Sequence, residues 1–171
     1  MIKGAETMPT PQLKWPTEVE SQRKEALQAA TEAIRFLQEA QGKADLARVK
    51  IHANSGVATI LLADAARLNA DAQTRMEQIQ LYLSLSKATP LRGRWGVGAA
   101  TKREDSEQAT RETSKLLKKI LTQLEVAQDK LPRNIELCEA IIAKTAQWQA
   151  QAISQMTRVE RLLTEASIGR E

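Results

Sequence analysis

Cysteine and histidine each occur once in the 171-residue chain, as Cys138 and His52. A lone cysteine excludes an intramolecular disulfide, and with one histidine it cannot assemble a four-ligand zinc site. No metal and no cofactor are therefore expected. Aromatic residues make up only 3% of the chain (Trp15, Phe36, Tyr82, Trp95 and Trp148). The core must then be built from small and aliphatic side chains, which leaves little room for a large internal ligand. No run of 18 apolar residues exists, so no membrane span is expected. The opening MIKGAETMPTPQLKWP lacks the apolar stretch of a secretory signal. A soluble, cytoplasmic chain is the expectation.

What is present is helical. Ala, Leu, Gln, Glu, Lys and Arg dominate, all strong helix formers, and charge of both signs is spread over 27% of the residues. The expected fold is all-α: an elongated antiparallel helical bundle of four helices, or five if a further break occurs. It would occupy residues 17–171 behind an extended arm, residues 1–16, whose Pro9, Pro11 and Pro16 suit no helix. Trp15 is the arm's one anchor.

Thr17 and Glu20 have capping-box spacing, which predicts a first helix carrying Leu27, Ala30, Ile34 and Leu37 on one face and ending near Gly42. A second helix is predicted from Ala44 to Ser86, with Val57, Leu61, Ala65, Leu68, Ala72, Ile79 and Tyr82 at helical spacing. Asn54-Ser55-Gly56 marks either a kink in it or a loop. A second capping box, Thr101 to Glu104, introduces a third helix with a seam of Leu117, Ile120, Leu124, Ala127 and Leu131. Pro132 breaks the chain again. The fourth helix carries the longest seam, from Ile135 and Cys138 through Ile142, Thr145, Ala152, Met156, Val159 and Leu163 to Ala166, and Gly169 is placed to end it. Alternating three- and four-residue steps favour coiled-coil-like antiparallel packing, and a seam this regular also admits self-association.

The formal charge of +4 is concentrated in the glycine-rich segment 87–103. Lys87, Arg92, Arg94, Lys102 and Arg103 lie there without an acid, among Gly93, Gly96 and Gly98 and beside Trp95. The order G-x-x-G-x-G reverses the dinucleotide fingerprint, and Gly98 is not followed by the Lys-Ser/Thr of a phosphate-binding loop. Nucleotide-site chemistry is excluded on those grounds. Capture of a polyanion fits better: glycines let backbone amides approach, arginines pair with phosphate bidentately, and Trp95 can stack on a base. Lys115, Lys118 and Lys119, with Arg111, extend the basic character along the third helix. Trp148 falls beside the main seam of the fourth helix and is a candidate partner-binding residue, as is Trp15.

His52 has no acid or cysteine partner at a catalytic spacing, and Asp64 and Asp71 sit among arginines on one helix face. No catalytic constellation emerges, and no enzymatic activity is expected. An all-α, mildly basic, non-catalytic chain of this size resembles in architecture the helical small subunits of RNA-guided CRISPR-type complexes, and equally accessory proteins of plasmid transfer or replication. The leading expectation, read from the basic loop and the lysines of the third helix, is a subunit of a nucleoprotein assembly that contacts the nucleic-acid backbone through Arg92, Arg94, Trp95, Lys102 and Arg103, with Lys115, Lys118 and Lys119 as a second strip. The alternative is a structural or adaptor protein of a phage, secretion or transfer machine that binds protein partners through its helical seams.

Overall fold

The computed structural model describes residues 17–88 and 99–168. The arm 1–16, Pro90, the core of the glycine-rich segment and Gly169 lie outside the described residues. Four helices follow one another: α1 (Thr17–Lys50), α2 (Ser55–Ala88), α3 (Ala99–Lys130) and α4 (Ile135–Ile168). Each is about 50 Å long at 1.5 Å per residue. Four-residue turns, 51–54 and 131–134, fold α1 back on α2 and α3 back on α4. α1 also packs on α4, and α2 on α3, whereas the diagonal pairs keep their backbones apart. Contacts from Thr31 to Glu160 and from His52 to Glu139 share one index sum, the signature of antiparallel α1 and α4. The result is an antiparallel four-helix bundle. The N-termini of α1 and α3 share one end, and both turns lie at the other.

The core is a strict three–four alternation in every helix. In α1 it runs Ala26, Ala30, Ala33, Leu37, Ala40, Ala44 and Ala47, continued by Ile51 in the turn, all buried. In α2 it runs Ala58, Leu62, Ala65, Asn69, Ala72, Met76, Ile79 and Leu83. α3 supplies Ser106, Thr110, Thr113, Leu117, Ile120, Leu124 and Ala127, continued by Leu131 in the turn, and α4 supplies Cys138, Ile142, Thr145, Gln149, Ala152, Met156, Val159 and Leu163. From Leu117 to Leu131 and from Cys138 to Leu163, the predicted seams fall on these rows. The small side chains of α1 let the larger ones of α2 interdigitate with it.

Each core position in the first hairpin has its counterpart 80 residues later. The register also relates Met76 to Met156, Leu37 to Leu117, Lys50 to Lys130 and Asn54 to Asn134. The turns repeat bond for bond. Asn54 and Asn134 donate backbone N–H to the carbonyls of Lys50 and Lys130, both at 2.7 Å. Their Oδ1 atoms accept from Val57 N–H and Leu137 N–H at 3.1 and 3.0 Å, so both asparagines are N-caps. The molecule is thus an internal repeat of one αα-hairpin with a pseudo-two-fold axis along the bundle. Asn69 and Gln149 are equivalent residues that touch each other, so they lie on that axis. Gln149 Nε2 donates to Asn69 Oδ1 at 2.8 Å and to the Leu37 carbonyl at 3.2 Å, while Asn69 Nδ2 donates to Gln149 Oε1 at 3.3 Å and to the Ala65 carbonyl at 3.0 Å. Thr110, Thr113 and Thr145 return their hydroxyls to carbonyls of their own helices.

Several expected boundaries move. Gly42 does not end α1: a Cβ built there meets nothing within 4 Å, so the glycine sits on an open face of a continuous helix. The break falls instead at residues 51–54, where Asn54 caps α2, and Ser55 and Gly56 belong to the first turn of that helix. α3 begins at Ala99, two residues before Thr101, which places the proposed capping box inside the first turns. Val57, expected on the α2 seam, is 37% exposed, and the seam passes through Ala58. Leu27 and Ile34 flank the α1 core half-buried, and Ala26 and Ala33 fill it.

Candidate nucleic-acid interface

Trp148 is held at the outer edge of the α3–α4 groove, half-buried and packed against the core. Two ammonium groups lie over its ring: Lys119 Nζ, from α3, at 5.6 Å from the centroid, and Lys144 Nζ, one turn earlier on α4, at 5.2 Å. Lys115 precedes Lys119 by one turn, and Lys115, Lys118 and Arg111 are exposed on the outward face of α3. Among the described residues, no carboxylate lies within 4.0 Å of Lys115, Lys118, Lys119 or Lys144. Lys119 and Lys144 over the indole, with Lys115 and Lys118 exposed within four residues of Lys119 on α3, give this side of the bundle a local positive field.

The pseudo-two-fold axis supplies the comparison. Lys115, Lys118, Lys119, Lys144 and Trp148 correspond to Arg35, Gln38, Glu39, Asp64 and Leu68 on the opposite face. There Arg35 pairs with Glu39 at 3.7 Å and Lys43 with Asp64 at 3.9 Å. The same scaffold positions are charge-balanced in the first hairpin and cationic in the second.

The other predicted residues are placed differently. Lys102 reaches across to Glu165 at 3.5 Å, and Arg158 pairs with Asp105 at 3.3 Å, so the first turns of α3 are tied to the end of α4 by ion pairs. Arg103 is half-buried and occupies the position that Arg23 holds in α1. Arg23 itself is buried, doubly bonded to Glu20 and within 3.4 Å of the Leu163 carbonyl. The basic strip is therefore in two parts: Lys102 lies about 20 Å along α3 from Lys115 at 1.5 Å per residue, with Glu104, Asp105, Glu107 and Glu112 between. Arg92, Arg94, Trp95 and Trp15 lie outside the described residues. Lys144 completes the tryptophan cluster but does not stand out in the sequence, because it is far from the other lysines along the chain. Only the packing of α4 on α3 brings it in.

Cys138 is buried at the start of α4, and burial, reinforced by the Glu139 carboxylate, pushes its thiol pKa up, which keeps it protonated and unreactive. His52 is exposed, with Nε2 3.5 Å from Glu139. Asp64 pairs with Arg67 at 3.4 Å, and Arg75 pairs with Glu32 at 2.7 Å. No group of three or more His, Cys, Asp or Glu among the described residues could hold a metal ion. No described helix is long and apolar enough to cross a membrane. No protein-family model matches the chain, and comparison with curated proteins and with solved structures yields no match.

Proposed function

We propose that the chain is a non-enzymatic, cytoplasmic helical subunit of a nucleoprotein assembly that binds nucleic-acid backbone. The observation that carries this reading is the pair Lys119 and Lys144 over Trp148, with Lys115 and Lys118 exposed on the same helix as Lys119 and no carboxylate within 4.0 Å of any of the four, where the equivalent face is ion-paired. The segment bearing Arg92, Arg94 and Trp95 supplies a second set of contacts at the α3 N-terminal end, with Lys102 and Arg103 beside it. Contacts of lysine and arginine to phosphate carry no sequence information, so any specificity comes from the assembly. Anisotropy of labelled oligonucleotides tests this. Binding is expected at low salt and should weaken steeply as salt rises. The Arg92→Ala/Arg94→Ala double variant should bind several-fold more weakly at equal salt. Absence of binding at low salt refutes the reading.

A second reading has its own observation. Leu46, Val49, Val57 and Ile60 are exposed at the turn end of α1 and α2, and they suit contact with a protein partner or a second copy of the chain. That reading predicts a complex that survives high salt and carries no nucleic acid.

A further inference from the structure

We infer that Trp148 is a stacking platform for an unpaired base, so that the α3–α4 face takes single-stranded rather than duplex nucleic acid. The inference rests on the nucleic-acid reading above and narrows it to one strand form and one side of the bundle. Part of the indole packs on the core, and the long chains of Lys119 and Lys144 bring their ammonium groups over the ring. Such ammonium–ring contacts at an exposed site are weak and exchangeable. An incoming base can displace them from the ring and offer the same two lysines its flanking phosphates, with Lys115 one turn away for the next. Stacking on an aromatic ring is stronger than the contact it replaces and tolerates any base. A duplex cannot reach the ring without unpairing, because its bases are already stacked on one another. Leu68, Glu39 and Asp64 stand at the equivalent places across the pseudo-two-fold axis, and the half-buried Phe36 of the first hairpin, which also has two cations over its ring, differs in that Arg35 and Arg75 are paired with Glu39 and Glu32.

The test uses the full chain carrying Trp15→Phe and Trp95→Phe, so that emission reports Trp148 alone, titrated at low salt with an oligothymidylate and with a duplex of equal length. Both are followed by anisotropy as well as by emission. Saturable quenching by the single strand, absent with duplex, is expected. In the otherwise native chain, Trp148→Leu, the residue of the equivalent position, should weaken single-strand binding at least about fivefold and leave duplex binding unchanged. Unaltered helicity by circular dichroism confirms that this variant is folded. Single-strand binding without quenching, or equal losses for both strand forms, overturns the platform while leaving backbone binding intact. Failure of both oligonucleotides to bind the native chain at low salt overturns the reading on which it rests.

Discussion

At the scale of single residues, polar groups inside an aliphatic bundle decide its register. Asn69 and Gln149 satisfy each other and two backbone carbonyls at the centre of the core. Truncating either leaves a buried amide without its partner, at a cost of about 1–3 kcal/mol. Asn69→Ala and Gln149→Ala should each lower the urea midpoint accordingly, and replacing both with Leu should cost less than the two losses added together. Gly42 presents the opposite case. It lies in mid-helix on an open face, so Gly42→Ala should stabilise by up to about 1 kcal/mol and raise Tm by roughly 2–4 °C. Cys138 gives a pH prediction. Its thiol pKa is raised in the folded chain, so the contribution to stability is full below the ordinary thiol range and is lost as pH rises through it and up to the folded value. Native protein should resist alkylation at neutral pH, and urea midpoints should fall in alkaline buffer. Prompt modification of the folded chain would contradict the burial.

The helices show which residue signals were decisive and which were not. The seams of α3 and α4 were legible because Leu, Ile, Val and Met recur there at steps of three and four. Gln149 was absent from the predicted seam only because a buried amide looks like a surface residue until its partner is known. The end of α1 was misplaced for a physical reason. Glycine costs a helix about 1 kcal/mol, which the seven buried core-row positions of α1 outweigh, so Gly42 is tolerated and the stop falls where a side chain caps the next helix. Asn54 and Asn134 perform that capping with matching geometry. Asn54→Ala and Asn134→Ala should therefore destabilise by similar amounts, about 1 kcal/mol each, as read by thermal unfolding. A markedly unequal pair of losses would deny the equivalence of the two turns.

The whole molecule is a hairpin used twice, with an offset of 80 residues in the sequence. Drift in the size and polarity of the rows hides the repeat: α1 fills its seam with Ala where α3 has Ser, Thr, Ile and Leu. Such drift keeps the pattern of burial while erasing most identities. Even Trp15 and Trp95 stand 80 apart. Duplication of the scaffold with divergence of its outer faces explains why a bundle of modest net charge has one cationic side. The lysines of α3 were legible as a cluster, whereas their junction with Lys144 and Trp148 needed the packing of α4. The measurement that bears most directly on this cationic face is the salt dependence of single-strand binding, compared between the native chain and a variant with Lys115, Lys118, Lys119 and Lys144 all changed to Gln. If these lysines neutralise phosphates, the variant binds more weakly and its log K against log salt is shallower by about 0.7 for each phosphate no longer neutralised. Identical slopes and affinities for the two proteins would contradict it.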